Sequence, residues 1–281
     1  MSAQAGIGQS PNYVSQLFAL VLTSVTQLLR PPSHSRRAEA ARRLARHSLL
    51  ITAITAAVII ALMYGLDVRE IGLMPARGSA WLWPVRILTD FGKDTYVLSA
   101  LAGALLVIAV IAPRLRSSSR SLLLGFALRL QFLFFAVLVP VLTGVVIKWM
   151  AGRGRPFVGG KADAFNFAPF IGTEAHASFP SGHAVTAFAL AFAVSALWPR
   201  ARGVMICYAC LIALTRLVLL AHHPSDVVAG ALIGVVGAML VRYWFAARHL
   251  VFVIRQDGAI VPLAGPSLGH LKRVARRAPA P

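Results

Sequence analysis

The stretch LQFLFFAVLVPVLTGVVIKWMAGRGRP, Leu130 to Pro156, decides how this chain is read. From Leu130 to Ile147 it carries no charge, which is close to the ~20 apolar residues that cross a bilayer as a helix. Lys148 follows at once, and Gly152, Gly154 and Pro156 then break the helix. Past that break the chain can fold back so that Lys148 and Arg155 face one anion. Arg offers a planar fork of donors matched to phosphate oxygens, and Lys a compact charge. The plainer reading is a pair of snorkelling or topology-setting charges at a helix end. Arg153, between them, reads as a solvated loop charge.

Working outward, five more apolar runs have spanning character: Leu49–Leu66, Tyr96–Ala112, His183–Leu197, Val204–Ala221 and Val227–Ala247. The fold class that follows is all-α, a polytopic membrane bundle of six transmembrane helices. Residues 1–47 form an N-terminal segment, 48–247 the six-span domain and 248–281 a basic, mobile tail. Tyr13–Leu29 reads as an amphipathic helix on the membrane surface. Ala80–Leu88 reads as interfacial or loop, and Leu122–Arg129 as a lead-in to the third span.

Hydrophobic residues are 58% of the chain and charged ones 13%, which excludes an ordinary soluble domain. The net charge of +19 invites a nucleic-acid reading. That reading fails, because the basic residues lie in short segments between spans. The expected partners are anionic membrane lipids and a phosphorylated substrate; oligomeric state is not legible. Cys207 and Cys210, inside an apolar run, read as inert thiols. No charged n-region precedes an apolar stretch at the start, so a cleaved signal peptide is not expected.

Arginines crowd the segment before the first span, the second-to-third and fourth-to-fifth connections, and the tail. The positive-inside bias then places both termini in the cytoplasm of a multi-pass inner-membrane protein. The opposite face receives 67–93, 149–181 and 222–226, and with them every chemistry-bearing motif.

Two further motifs share that face. Pro180-Ser181-Gly182-His183 opens the fourth span, where free N–H groups and the helix dipole favour an anion. Gly182 permits close backbone approach, Ser181 can cap or donate, and His183 can protonate a leaving oxygen. Alone, this is also a plain Ser N-cap followed by a histidine. Thr215-Arg216 then precedes His222 and Asp226. Arg216 lies ~9 Å from His222 along the axis if the helix continues. Pro224 suits the first turn of the last span. A carboxylate on one imidazole nitrogen fixes the tautomer and leaves the other free to attack; the plainer role for Asp226 is a helix cap. His223 is a weaker nucleophile candidate than His222, and His176 reads as a solvated loop histidine.

Together, Lys148-x6-Arg155-Pro156, Pro180-Ser181-Gly182-His183 and Thr215-Arg216-x5-His222-x3-Asp226 resemble the type-2 phosphatidate phosphatases, relatives of acid phosphatases and vanadium haloperoxidases. The likeness covers about Leu130 to Ala247 and departs at Thr215, where the family has Ser. It implies that His222 forms a phosphohistidine, Asp226 orients it and His183 passes the proton. Lys148, Arg155, Ser181, Gly182 and Arg216 would hold the phosphoryl oxygens. It implies no cofactor, and no carboxylate cluster for a metal is legible.

The expected function is a lipid phosphate or pyrophosphate phosphatase at the extracytoplasmic face. Undecaprenyl pyrophosphate, phosphatidate, phosphatidylglycerophosphate and lipid A phosphate stay open as substrates. A phosphotransferase would use the same site. A non-enzymatic lipid transporter would explain buried charges but needs no His-Asp pair, and the haloperoxidase relatives are soluble.

Overall fold

The computed structural model describes residues 12–76, 78–156, 158–159 and 162–263. Among these the chain is a helical bundle: α1 Tyr13–Leu29, α2 Arg37–Gly65, α3 Asp67–Leu73, α4 Trp83–Asp90, α5 Asp94–Ile111, α6 Ser117–Ala151, α7 Gly182–Leu197, α8 Arg202–Val218 and α9 Pro224–Ala247. A short antiparallel hairpin, β1 Phe252–Ile254 and β2 Ile260–Pro262, closes the described chain.

Among the described residues, five helical stretches are long and apolar enough to cross a membrane: 37–65, 80–114, 117–151, 199–218 and 224–247. The sixth expected span is α7, which has 16 residues. That is ~24 Å of helix against ~30 Å of hydrocarbon, so the count of six does not follow from length. Ala80–Leu88 is helical, continuing toward α5 through the 3₁₀ turn Ala80–Leu82 and α4. Leu122–Arg129 is an integral part of α6. The first span begins earlier than expected, at Arg37, so its basic residues ride on the helix itself.

α7 and α9 form the centre. α7 buries Ala184, Ala187, Ala189, Ala191 and Ala193. On α9, a Cβ at Gly230 would lie 2.5 Å from the Ser181 oxygen, and one at Gly234 2.5 Å from the Val185 oxygen. Small residues let the two backbones meet, which is how helices pack where no water drives them together. Pro140 inside α6 packs against Gly237 by the same logic.

Phe132 of α6 packs edge-on to Phe245 and to Phe252 of β1, at 5.5 and 4.7 Å between ring centres. The hairpin is therefore seated on the bundle, and the part of the tail that is described is not a loose end. Residues 264–281 lie outside the described residues. Ser33 and His34 donate backbone N–H to Ala247, and Arg43 pairs with Asp257. The N-terminal basic segment and the end of α9 thus share one end of the bundle.

Candidate active site

α6 ends where Gly152 turns left-handed at φ 55, and a Cβ there would overlap the Ala168 carbonyl oxygen. Only glycine fits, and the chain doubles back. Gly154 donates to Asn166 (2.9 Å), Arg155 to Ala175 (2.9 Å) and Ser178 to the Arg153 carbonyl (3.0 Å), all through backbone groups. The Arg153–Arg155 strip is thereby laced between two returning segments. Lys148, one turn earlier, donates to the Ala177 carbonyl at 2.9 Å.

Ser181 caps α7 by position, with no side-chain cap bond. Its N–H donates to the Asp226 carbonyl at 3.0 Å, and its buried Oγ has no protein partner among the described residues. α8 stops at Val218, and Leu220 takes φ 48. His222 therefore does not continue the helix of Arg216; a turn carries it round instead. Arg216 donates to Thr89 Oγ1 at 2.8 Å, and the Thr215 hydroxyl bonds Thr89 and the Ile212 carbonyl. Pro224 does open α9.

These turns bring Lys148, Arg155, Gly182, His183, Arg216 and His222 around one pocket of about 200 Å³. Asp94, Val141, Gly144, Val145, Pro180 and Val185 complete its wall. Arg155 Nε and Arg216 Nε are buried without a protein partner among the described residues. His222 is 3% exposed. Burial, and then the Arg216, Lys148 and Arg155 charges, hold its imidazole well below the ordinary histidine range, so it is neutral at pH 7. Its Nδ1 lies 2.7 Å from the Ser178 carbonyl, which can only accept. Nδ1 must then carry the proton, which leaves the Nε2 lone pair free.

Asp226 is fully buried and stands 3.9 Å from His222 Nδ1. It accepts from Arg153 (2.6 Å), the Ser178 hydroxyl (2.6 Å) and the His223 N–H (2.9 Å). It caps α9 and also organises the segment whose carbonyl holds His222.

One expectation fails outright. Arg153 is not a solvated loop charge but fully buried. It pairs with Asp226 at 2.6 Å and Asp67 at 2.8 Å, and also donates to Ser225 and the Ala164 carbonyl. Asp67 accepts from the Ser225 hydroxyl and N–H as well. A guanidinium between two carboxylates neutralises charges that burial alone would make costly.

The reading of motifs missed this scaffold: Asp67, Arg153, Ser178, Ser225 and Thr89. A signal was present for Arg153. In extended backbone, residues two apart share a face and a turn between them parts them; the glycines flanking Arg153 allow such a turn. His176 ends the 3₁₀ turn Glu174–His176 and, among the described residues, its ring bonds Thr173.

Residues 129–250 match the model of the PAP2 superfamily. The chain is 35% identical over 181 residues to a lipid A 1-phosphatase of Rhizobium johnstonii, covering 64% of this chain and 68% of that one. It is 34% identical over 194 residues to a lipid A 1-phosphatase of Rhizobium etli, covering 68% and 77%. A bacitracin transport permease protein, BcrC, of Bacillus licheniformis is 24% identical over 170 residues, covering 58% and 79%. No solved structure matches the chain significantly. The chain belongs to the PAP2 superfamily. It is a PAP2-type lipid phosphatase, a phosphoric monoester hydrolase with the helices of a multi-pass membrane protein.

Proposed function

We propose that this chain removes the phosphate of lipid A at its 1-position, through a phosphohistidine, at the extracytoplasmic face of the inner membrane. The observation that carries this reading is the single pocket in which three cations and two histidines converge. The relatives named as lipid A 1-phosphatases favour that substrate over the other phosphorylated lipids.

His222 Nε2 attacks phosphorus, the N–P bond forms and the P–O bond to the lipid breaks. His183 gives its proton to the departing oxygen. It then takes a proton from water as that water attacks phosphorus, the N–P bond breaks and phosphate leaves. Lys148, Arg155, Arg216, the Ser181 hydroxyl and the Gly182 N–H at the start of α7 hold the equatorial oxygens. Asp226 acts on His222 through the Ser178 segment and by its charge. α7, enclosed by α6, α8 and α9, serves as the sixth span. The shared end of the N-terminal arginines and α9 supports a cytoplasmic location for that end.

Full-length protein in detergent, with chelator, should release phosphate from lipid A 1-phosphate. Acid-labile, base-stable radiolabel should be trapped on the wild type and not on His222→Ala. Turnover with no label on His222 overturns the phosphohistidine step; no turnover on lipid A but turnover on another phospholipid overturns the substrate.

A further inference from the structure

The pocket wall contains one carboxylate that the mechanism does not use. Asp94 sits in the first turn of α5 and lines the same pocket as Lys148, Arg155 and Arg216. Its side chain makes no hydrogen bond and no ion pair within 4 Å among the described residues. An acid at a helix start is favoured by the helix dipole, and Asp94 is electrostatically attractive to Lys148. Neither fact explains a negative charge facing a phosphate site, where it repels the ligand.

The size of the pocket narrows the explanation. About 200 Å³ is below the ~300–1,000 Å³ of pockets that enclose a drug-sized ligand. It admits a phosphate and the few atoms attached to it, not a lipid body. Whatever Asp94 meets is therefore the group joined directly to the scissile phosphate. A carboxylate gains from such a group only if the group donates a hydrogen bond.

We propose that Asp94 is a specificity-determining residue that accepts a hydrogen bond from an N–H or O–H beside the phosphate ester, so that donor-bearing phospholipids are favoured over donorless ones. This rests on the phosphatase reading of the pocket. The open substrates then divide by chemistry. The sugar carbon next to the lipid A 1-phosphate bears an amide N–H, and phosphatidylglycerophosphate has a free hydroxyl next to its terminal phosphate ester. In phosphatidate the neighbouring oxygen is acylated, and in undecaprenyl pyrophosphate the neighbour is a second anion, which Asp94 repels. A site with a fixed acceptor rejects ligands that leave it unpaired.

The test compares kcat/KM for phosphatidylglycerophosphate and phosphatidate of the same acyl chains, using full-length wild type, Asp94→Ala and Asp94→Asn. The ratio of the two should fall about tenfold in Asp94→Ala, the worth of one hydrogen bond to a charged group. It should fall less in Asp94→Asn, whose amide oxygen still accepts. A merely structural role lowers both substrates together, so a ratio constant within twofold in both variants overturns the proposal. If Asp94→Ala does not fold, the near-isosteric Asp94→Asn decides alone, with a constant ratio again overturning it. A wild type that hydrolyses neither lipid, nor lipid A, overturns the phosphatase reading and this proposal with it. An active wild type with a constant ratio overturns this proposal only.

Discussion

α2 and α9 are both apolar enough to cross a membrane, yet none of the most apolar stretch of α2 is buried, against 61% of that of α9. Hydrophobicity alone does not separate a lipid-facing helix from a core helix. What their glycines face does: on α9, Gly230, Gly234 and Gly237 lie where other helices press close, whereas Gly65 at the end of α2 and Gly103 of α5 meet nothing within 4 Å. Still, α2 delivers Asp67 to the site scaffold two residues past its end. The exposed helix matters through where it stops, the buried one along its length.

The sharpest break of this comparison is chemical. His222→Ala, in the turn just before α9, should lower phosphate release by about a thousandfold or more, with helical circular dichroism unchanged. Full activity would remove His222 as the nucleophile. Next comes the tie between the two helices. Arg153→Ala leaves Asp67 and Asp226 buried and unpaired, which should cost about 3–5 kcal/mol and lower the thermal midpoint in detergent. Arg153→Lys should not restore it, since one ammonium cannot replace the fork. An unchanged midpoint in Arg153→Ala would show that the ion pairs hold nothing.

The packing contrast is tested by one substitution in two places. Gly234→Ala forces a Cβ against the Val185 backbone and should cost about 1–3 kcal/mol. Gly103→Ala, in open surroundings, should gain up to about 1 kcal/mol from helix propensity. Shifts of the same sign would break the distinction between core and lipid-facing helices.

The smallest effect concerns Glu70 of α3, buried at 3% exposure with both carboxylate oxygens unpartnered among the described residues. Burial, and then the Asp67 charge, push its carboxyl up from 4.5 to about 7. The folded state thus favours the protonated form. That contribution is fully present below pH 4.5 and is lost as pH rises through about 7. Thermal midpoints of wild type and Glu70→Gln should converge at low pH and separate in favour of the variant at pH 8; parallel curves would remove Glu70 as the cause.

The Lys148–Arg155 spacing and the His222–Asp226 turn were readable because each is local. Helix ends, glycines and Pro224 announce them. The flanking glycines hint that Arg153 points away from Arg155, but its partners lie 86 and 73 positions away and nothing near it names them. The same distance in sequence hides the Ser178 carbonyl, which stands nearer to His222 Nδ1 than Asp226 does at 3.9 Å. A backbone carbonyl 44 positions away has no sequence signature, and the nearby carboxylate was the visible candidate.

That apolar helices form, and that the cations and histidines stand at their ends, follows from the order of residues along the chain. Hydrocarbon leaves the backbone no other way to satisfy its hydrogen bonds, so those features are written in runs of residues. The burial of Arg153, the hold of Ser178 on His222 and the place of Asp94 in the pocket wall arise in the folded bundle alone. Each depends on how the 152–178 loop and the start of α5 come to lie against α7 and α9, and contacts between distant segments leave no periodic trace in the chain.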